Sequence, residues 1–127
     1  MKLINIFLKK RLVRLRNKLE KLQFDSGLAL KKYETNSSCA TNIIRFLSIH
    51  LDNAENGNYE SILWLNNFLI SDLEKYNAYL STARKNRRKY LKIKLNVISV
   101  EEKIKNLEEK IKQKQVAPKN PLSRNSY

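Results

Sequence analysis

The sequence predicts an all-α protein, folded as a long antiparallel two-helix coiled-coil hairpin, on three observations. The 127 residues hold two glycines, Gly27 and Gly57, and two prolines, Pro118 and Pro121, too few turn residues for a multi-stranded sheet or a nucleotide-binding α/β unit. Apolar residues recur at alternating steps of four and three, the pattern of a helix that buries one narrow stripe. The segment 52–58, Asp-Asn-Ala-Glu-Asn-Gly-Asn, gathers residues that tolerate turns and left-handed backbone. A chain of this length makes one domain more readily than two.

The first arm is expected over 2–51. Its seam runs through Leu8, Leu12, Leu15, Leu19 and Leu22, continues less regularly through Ser26, Ala29 and Tyr33, and resumes at Ile43, Phe46, Leu47 and His50. Between them, Glu34-Thr35-Asn36-Ser37-Ser38 reads either as the cap of a new helix or as a polar stretch inside a long one. Its lack of glycine and proline favours continuity. A break there would instead fold the pieces into a compact three- or four-helix bundle, the alternative architecture.

The second arm is expected over 59–115. It begins with the seam Leu69, Leu73, Tyr76, Leu80 and Ala83 and ends with Ile93, Val97, Val100, Ile104, Leu107 and Ile111. The basic stretch Arg84–Lys89 shifts the phase. Passage through Arg87 and Tyr90 takes two consecutive steps of three, a stammer that overwinds a coiled coil locally. Residues 116–127 carry both prolines and no apolar period, so the hairpin is assigned to 1–115 and a disordered tail to the remainder. A hairpin has only one face to bury, so the isolated fold is expected to be marginal and a partner to complete it.

Charge points to the nature of that partner. Residues 1–51 carry net +8, 52–83 net −4, 84–115 net +8 and the tail +2, giving +14 overall. Folding the chain about residue 55 sets 16–26 against 84–94, so Arg14, Arg16 and Lys18 approach the end that holds Arg87 and Arg88. Like charges crowded this way call for an anionic surface. The opening Met1–Leu8 is too short and too interrupted for a signal peptide, and no apolar run approaches the ~20 residues of a membrane span.

Little in the chain suggests catalysis. One cysteine, Cys39, excludes a disulfide framework and a cysteine-rich zinc site, and is expected to pack as a small buried hydrophobe. One histidine, His50, is expected near a helix end, where its cation would favour the dipole. Neither a phosphate loop nor a nucleophile–histidine arrangement is legible, so no cofactor, metal or enzymatic role is expected. The stretch from Tyr59 to Leu69 is apolar on more than one face. It reads as a local core or as a docking patch built from Phe46, Trp64 and Phe68.

The opening M-K-L-I-N-I-F-L-K-K-R-L-V-R-L-R-N-K-L-E-K-L resembles the start of the small stalk proteins of type III secretion systems, the YscO/FliJ group. Length, central break, long second arm and charged helical end are similar too. The chain departs from that group in being rich in Lys and Asn where members are often rich in Glu and Gln. The resemblance implies a cytoplasmic stalk peripheral to an inner-membrane secretion apparatus. Its terminal end, with Arg11, Arg14, Arg16, Lys18, Arg87 and Arg88, would enter a hexameric ATPase ring. Its other end, with Phe46, Trp64 and Phe68, would face the export-gate protein or an export chaperone. The stretch 62–73 more loosely resembles the PriC family of replication-restart proteins, which implies binding of single-stranded nucleic acid through phosphate contacts and base stacking. A third reading takes residues 1–22 as an amphipathic helix lying on a membrane surface.

The two architectures differ in length. Two uninterrupted arms make a rod roughly 75–90 Å long at ~1.5 Å per residue, whereas a bundle has a radius of gyration of about 15 Å. Small-angle scattering is expected to return the rod.

Overall fold

A computed structural model describes residues 2–116; of the tail assigned above to 116–127, Val116 instead ends the last helix, and 117–127 lie outside the described residues. Two helices account for nearly all of them: α1, Lys2–Glu55, and α2, Tyr59–Val116. The chain is a helical hairpin, and the polar stretch 34–38 lies inside α1. It does not break the helix because its polar groups are satisfied locally: Asn36 Nδ2 donates to the Lys32 carbonyl at 2.7 Å. Asn36 also keeps the seam in step, partly buried between Tyr33 and Ala40.

The turn is tighter than 52–58. Asp52, Asn53, Ala54 and Glu55 are the last residues of α1, leaving Asn56-Gly57-Asn58 to reverse the chain. Gly57 takes a φ of 85°, the left-handed conformation that closes a helix end. Its N–H donates to the Ala54 carbonyl at 3.0 Å, and the Asn58 N–H donates to the Asn53 carbonyl at 2.9 Å. Asn58 then starts the next helix. Its carbonyl accepts from the Ile62 N–H at 3.1 Å, and its side-chain Oδ1 accepts from the Ser61 N–H at 3.0 Å. One asparagine thus closes α1 and caps α2.

Contacts divide the described chain into two compact units, one of residues 2–26 with 92–116 and one of residues 27–91. In the first, Leu12 joins Val100, Ile104, Leu107 and Ile111 in a buried cluster, with Leu8, Leu15, Leu19 and Leu22 packed against it. The leucine seam therefore meets the last seam of α2, as the 4-3 spacing requires. Arg16 pairs with Glu108 at 3.9 Å, well beyond the 84–94 stretch that a count about residue 55 sets against it. Matching the leucines to Val100–Ile111 decides that register; residue counting does not.

The second unit has a different core. Ala29, Ala40 and Ala83 are almost fully buried with Leu47, and Ser61 is buried too. Small residues at these seam positions let helices approach toward the lower end of the usual ~8–10 Å spacing. Two positions differ from the expected seam. Leu73 is 39% exposed while Asp72 is partly buried, and Arg87 is exposed while Asn86 takes the seam position. Steps of three from Leu80 to Ala83 to Asn86 put the stammer about two turns earlier than the Arg87–Tyr90–Ile93 path. A guanidinium there would lose its hydration, whereas the Asn86 amide donates to the Thr82 carbonyl at 2.9 Å. Cys39 is partly buried rather than fully packed away.

Gly57→Ala is expected to destabilise the protein by about 1–2 kcal/mol from left-handed backbone alone. No atom stands within 4 Å of where its Cβ would go. Asn58→Ala should cost about 1 kcal/mol through loss of the cap. Chemical denaturation midpoints test both; a Gly57→Ala protein as stable as the parent would show that the turn does not need its left-handed residue.

Candidate functional site

The aromatic residues singled out in the sequence converge within the second unit. Phe46 and His50 lie one turn apart on α1, and Trp64 and Phe68 one turn apart on α2, so each pair shares a helix face. The indole of Trp64 stacks on the His50 imidazole, with ring centroids 4.3 Å apart and planes 9° from parallel. Phe46 meets both rings edge-on, at 4.6 Å from His50 and 5.0 Å from Trp64. Phe68 lies tilted against Trp64 at 5.4 Å. Trp64 and His50 are partly buried, but Phe46 and Phe68 each keep 48% of their surface in solvent. The indole of Trp64 is covered on one face, while its neighbours Phe46 and Phe68 form an exposed aromatic rim.

His50 is not the helix-end cation expected of it. α1 continues to Glu55, and His50 sits in the seam with Nδ1 hydrogen-bonded to Ser61 Oγ at 3.1 Å. Ser61 is in turn held by Asn58 Oδ1, so the helix cap, the serine and the imidazole form one polar chain beneath the rings. A serine beside a histidine invites comparison with an activated nucleophile. Here Ser61 as a whole residue is only 4% exposed and the imidazole is stacked against indole, so Oγ is screened from solvent. The pair is an anchor for the rings. Sequence reasoning missed Ser61; the available signal was its place three residues after a capping asparagine, opposite a seam histidine.

The six cations expected at one end divide between the units. Arg11, Arg14, Arg16 and Lys18 belong to the first, Arg87 and Arg88 to the second, and all six are exposed. In the first unit, residues 2–26 and 92–116 carry 15 basic and 6 acidic side chains, net +9. Their arrangement is lopsided. Arg11, Lys103 and Lys110 line one shallow cleft of about 150 Å³, floored by Leu15 and Leu107. Glu101, Glu108 and Glu109 line another with Lys105 and Lys112, floored by Leu19 and Ile104. The first cleft presents three cations and no carboxylate, so it suits an acidic side chain or a phosphate.

Comparisons with protein-family models, with curated proteins and with solved structures all return nothing. The geometry alone bears on what these surfaces do.

His50→Ala is expected to uncover one face of the only tryptophan, so acrylamide should quench Trp64 fluorescence more efficiently. The loss of stacking should lower stability by about 1 kcal/mol. Unchanged quenching would mean that the stack does not persist in solution.

Proposed function

We propose that this protein is a non-enzymatic stalk of a type III secretion export apparatus, cytoplasmic and peripheral to the inner membrane. In this reading its basic coiled coil inserts into a hexameric ATPase, and its aromatic rim contacts the export gate or a chaperone. The observation that carries the reading is the first unit: a two-helix coiled coil with an aliphatic seam and an outward face of net positive charge, including Arg11, Lys103 and Lys110 around one cleft. Such an element fills an acidic central bore without exposing its core. Arg11, Arg14, Arg16 and Lys18 make the ring contact from α1, with Arg16 braced by Glu108. Arg87 and Arg88 extend the basic surface in the second unit. Phe46, Trp64 and Phe68 supply the gate or chaperone contact, because exposed aromatics on a rigid support anchor interfaces efficiently.

Single-stranded nucleic acid fits the aromatic cluster of the second unit less well. Base stacking needs free aromatic faces close to cations. Here Trp64 is stacked on His50, and the basic run that begins at Arg84 lies 16 residues beyond Phe68, roughly 24 Å along α2 at ~1.5 Å per residue.

The test is charge reversal with two readouts. Changing Arg11, Arg14 and Lys18 together to Glu should abolish stimulation of the cognate hexameric ATPase and leave helicity by circular dichroism nearly unchanged, since all three are exposed. Binding of the parent protein to single-stranded DNA should be weak at physiological salt, with a log–log salt slope near −0.7 per phosphate contacted. Tight DNA binding at that salt, with no effect on any ATPase, would replace the stalk reading with the nucleic-acid one.

A further inference from the structure

We infer that the outward face of α1 in the first unit binds peripherally to an anionic phospholipid bilayer. The leucines at 8, 12, 15, 19 and 22 are spent against α2, which leaves a second apolar set on the opposite face. Leu3 is 81% exposed, Phe7 72%, Val13 55% and Ile6 52%. Leu3, Ile6 and Phe7 occupy two successive turns of one helix and Val13 follows two turns beyond Ile6, with exposed Lys9, Lys10 and Arg14 interleaved. The interleaving is intimate: Ile6, Lys9, Lys10, Val13 and Arg14 line one shallow depression, and Phe7, Lys10, Arg11 and Arg14 line a second.

Charge complementarity selects the occupant. Seven basic residues precede the first acidic one, Glu20, so nothing on this face repels a negative surface. A second copy of this chain is disfavoured, because the same cations would meet. A helix lying in the bilayer interface buries an apolar ridge to the depth of the acyl boundary while lysine and arginine stems reach back to the phosphates. Leu3, Ile6 and Phe7 form such a ridge, with Lys9, Lys10 and Arg14 beside it. No helix among the described residues is long and apolar enough to cross a membrane, so the association is with the surface.

The inference goes beyond the stalk reading and does not depend on it. Leu3, Phe7, Lys9 and Lys10 lie outside the residues assigned to the ATPase ring. The experiment is co-sedimentation of the full chain with vesicles of phosphatidylcholine alone or with about one third phosphatidylglycerol. Binding is expected only to the anionic vesicles. The double variant Leu3→Ser/Phe7→Ser should weaken it about tenfold or more. Lys9→Glu/Lys10→Glu should weaken it by a similar or larger factor, since each cation near an anionic surface counts for roughly fivefold. Circular dichroism confirms that both variants stay helical. Absence of binding to anionic vesicles overturns the inference. So does binding that is indifferent to Leu3→Ser/Phe7→Ser, because charge alone would then be responsible. Vesicles displaced by single-stranded DNA, with DNA affinity lost in Lys9→Glu/Lys10→Glu and kept in Leu3→Ser/Phe7→Ser, would assign the face to nucleic acid instead. Retained ATPase stimulation by Leu3→Ser/Phe7→Ser separates this result from failure of the stalk reading.

Discussion

One left-handed residue makes the hairpin possible. With Gly57 at a φ of 85°, the N–H groups of Gly57 and Asn58 turn back onto the Ala54 and Asn53 carbonyls, and Asn58 is free to cap the helix that follows. A longer, looser turn would leave the facing residues to choose among registers. Here the cap holds Ser61, Ser61 holds His50, and His50 carries the indole of Trp64. The aromatic rim of the second unit is therefore positioned from the turn outward, through polar contacts that packing alone would not supply.

The helices were legible because the apolar period was clean wherever the seam was aliphatic. Leu8–Leu22 and Ile93–Ile111 sit where a 4-3 pattern puts them. The misreadings fall where polar residues occupy the seam. Asn86 and Asp72 take positions that hydrophobicity assigns to no one, and they displace Arg87 and Leu73 from the expected path. The turn was read too wide for a related reason. Asp52 and Asn53 look like loop residues, yet their carbonyls accept the closing hydrogen bonds of α1 and so belong to the helix. The gathering of Phe46, Trp64 and Phe68 was visible as an aromatic density, whereas the stacking of His50 was not. A seam histidine has no signature until its partner across the hairpin is known.

Asn5 offers a similar lesson in the first unit. It interrupts the opening apolar run, keeps the seam spacing before Leu8, and buries its Oδ1 with no hydrogen-bond partner among the described residues. An unsatisfied amide oxygen costs roughly 1–3 kcal/mol relative to a paired one. A sequence shaped only for isolated stability would place leucine there.

Electrostatics then links stability to partnership. Residues 2–26 and 92–116 hold a surplus of nine positive charges on a two-helix scaffold. Arg11, Lys103 and Lys110 share one cleft that no carboxylate lines. Their repulsion lowers the stability of the free protein, and any anionic surface that binds the folded chain relieves it. A partner selective for the folded form raises stability with its concentration, by about 2.7 kcal/mol at a hundred times its dissociation constant. The same cations that weaken the hairpin alone thus strengthen it when engaged. An acidic protein bore and an anionic bilayer both supply that relief, but they make different demands on the apolar residues. A bore needs the seam closed and leaves Leu3 and Phe7 idle; a bilayer takes up Leu3 and Phe7 directly. The apolar face of α1, more than its charge, is what tells the two surfaces apart.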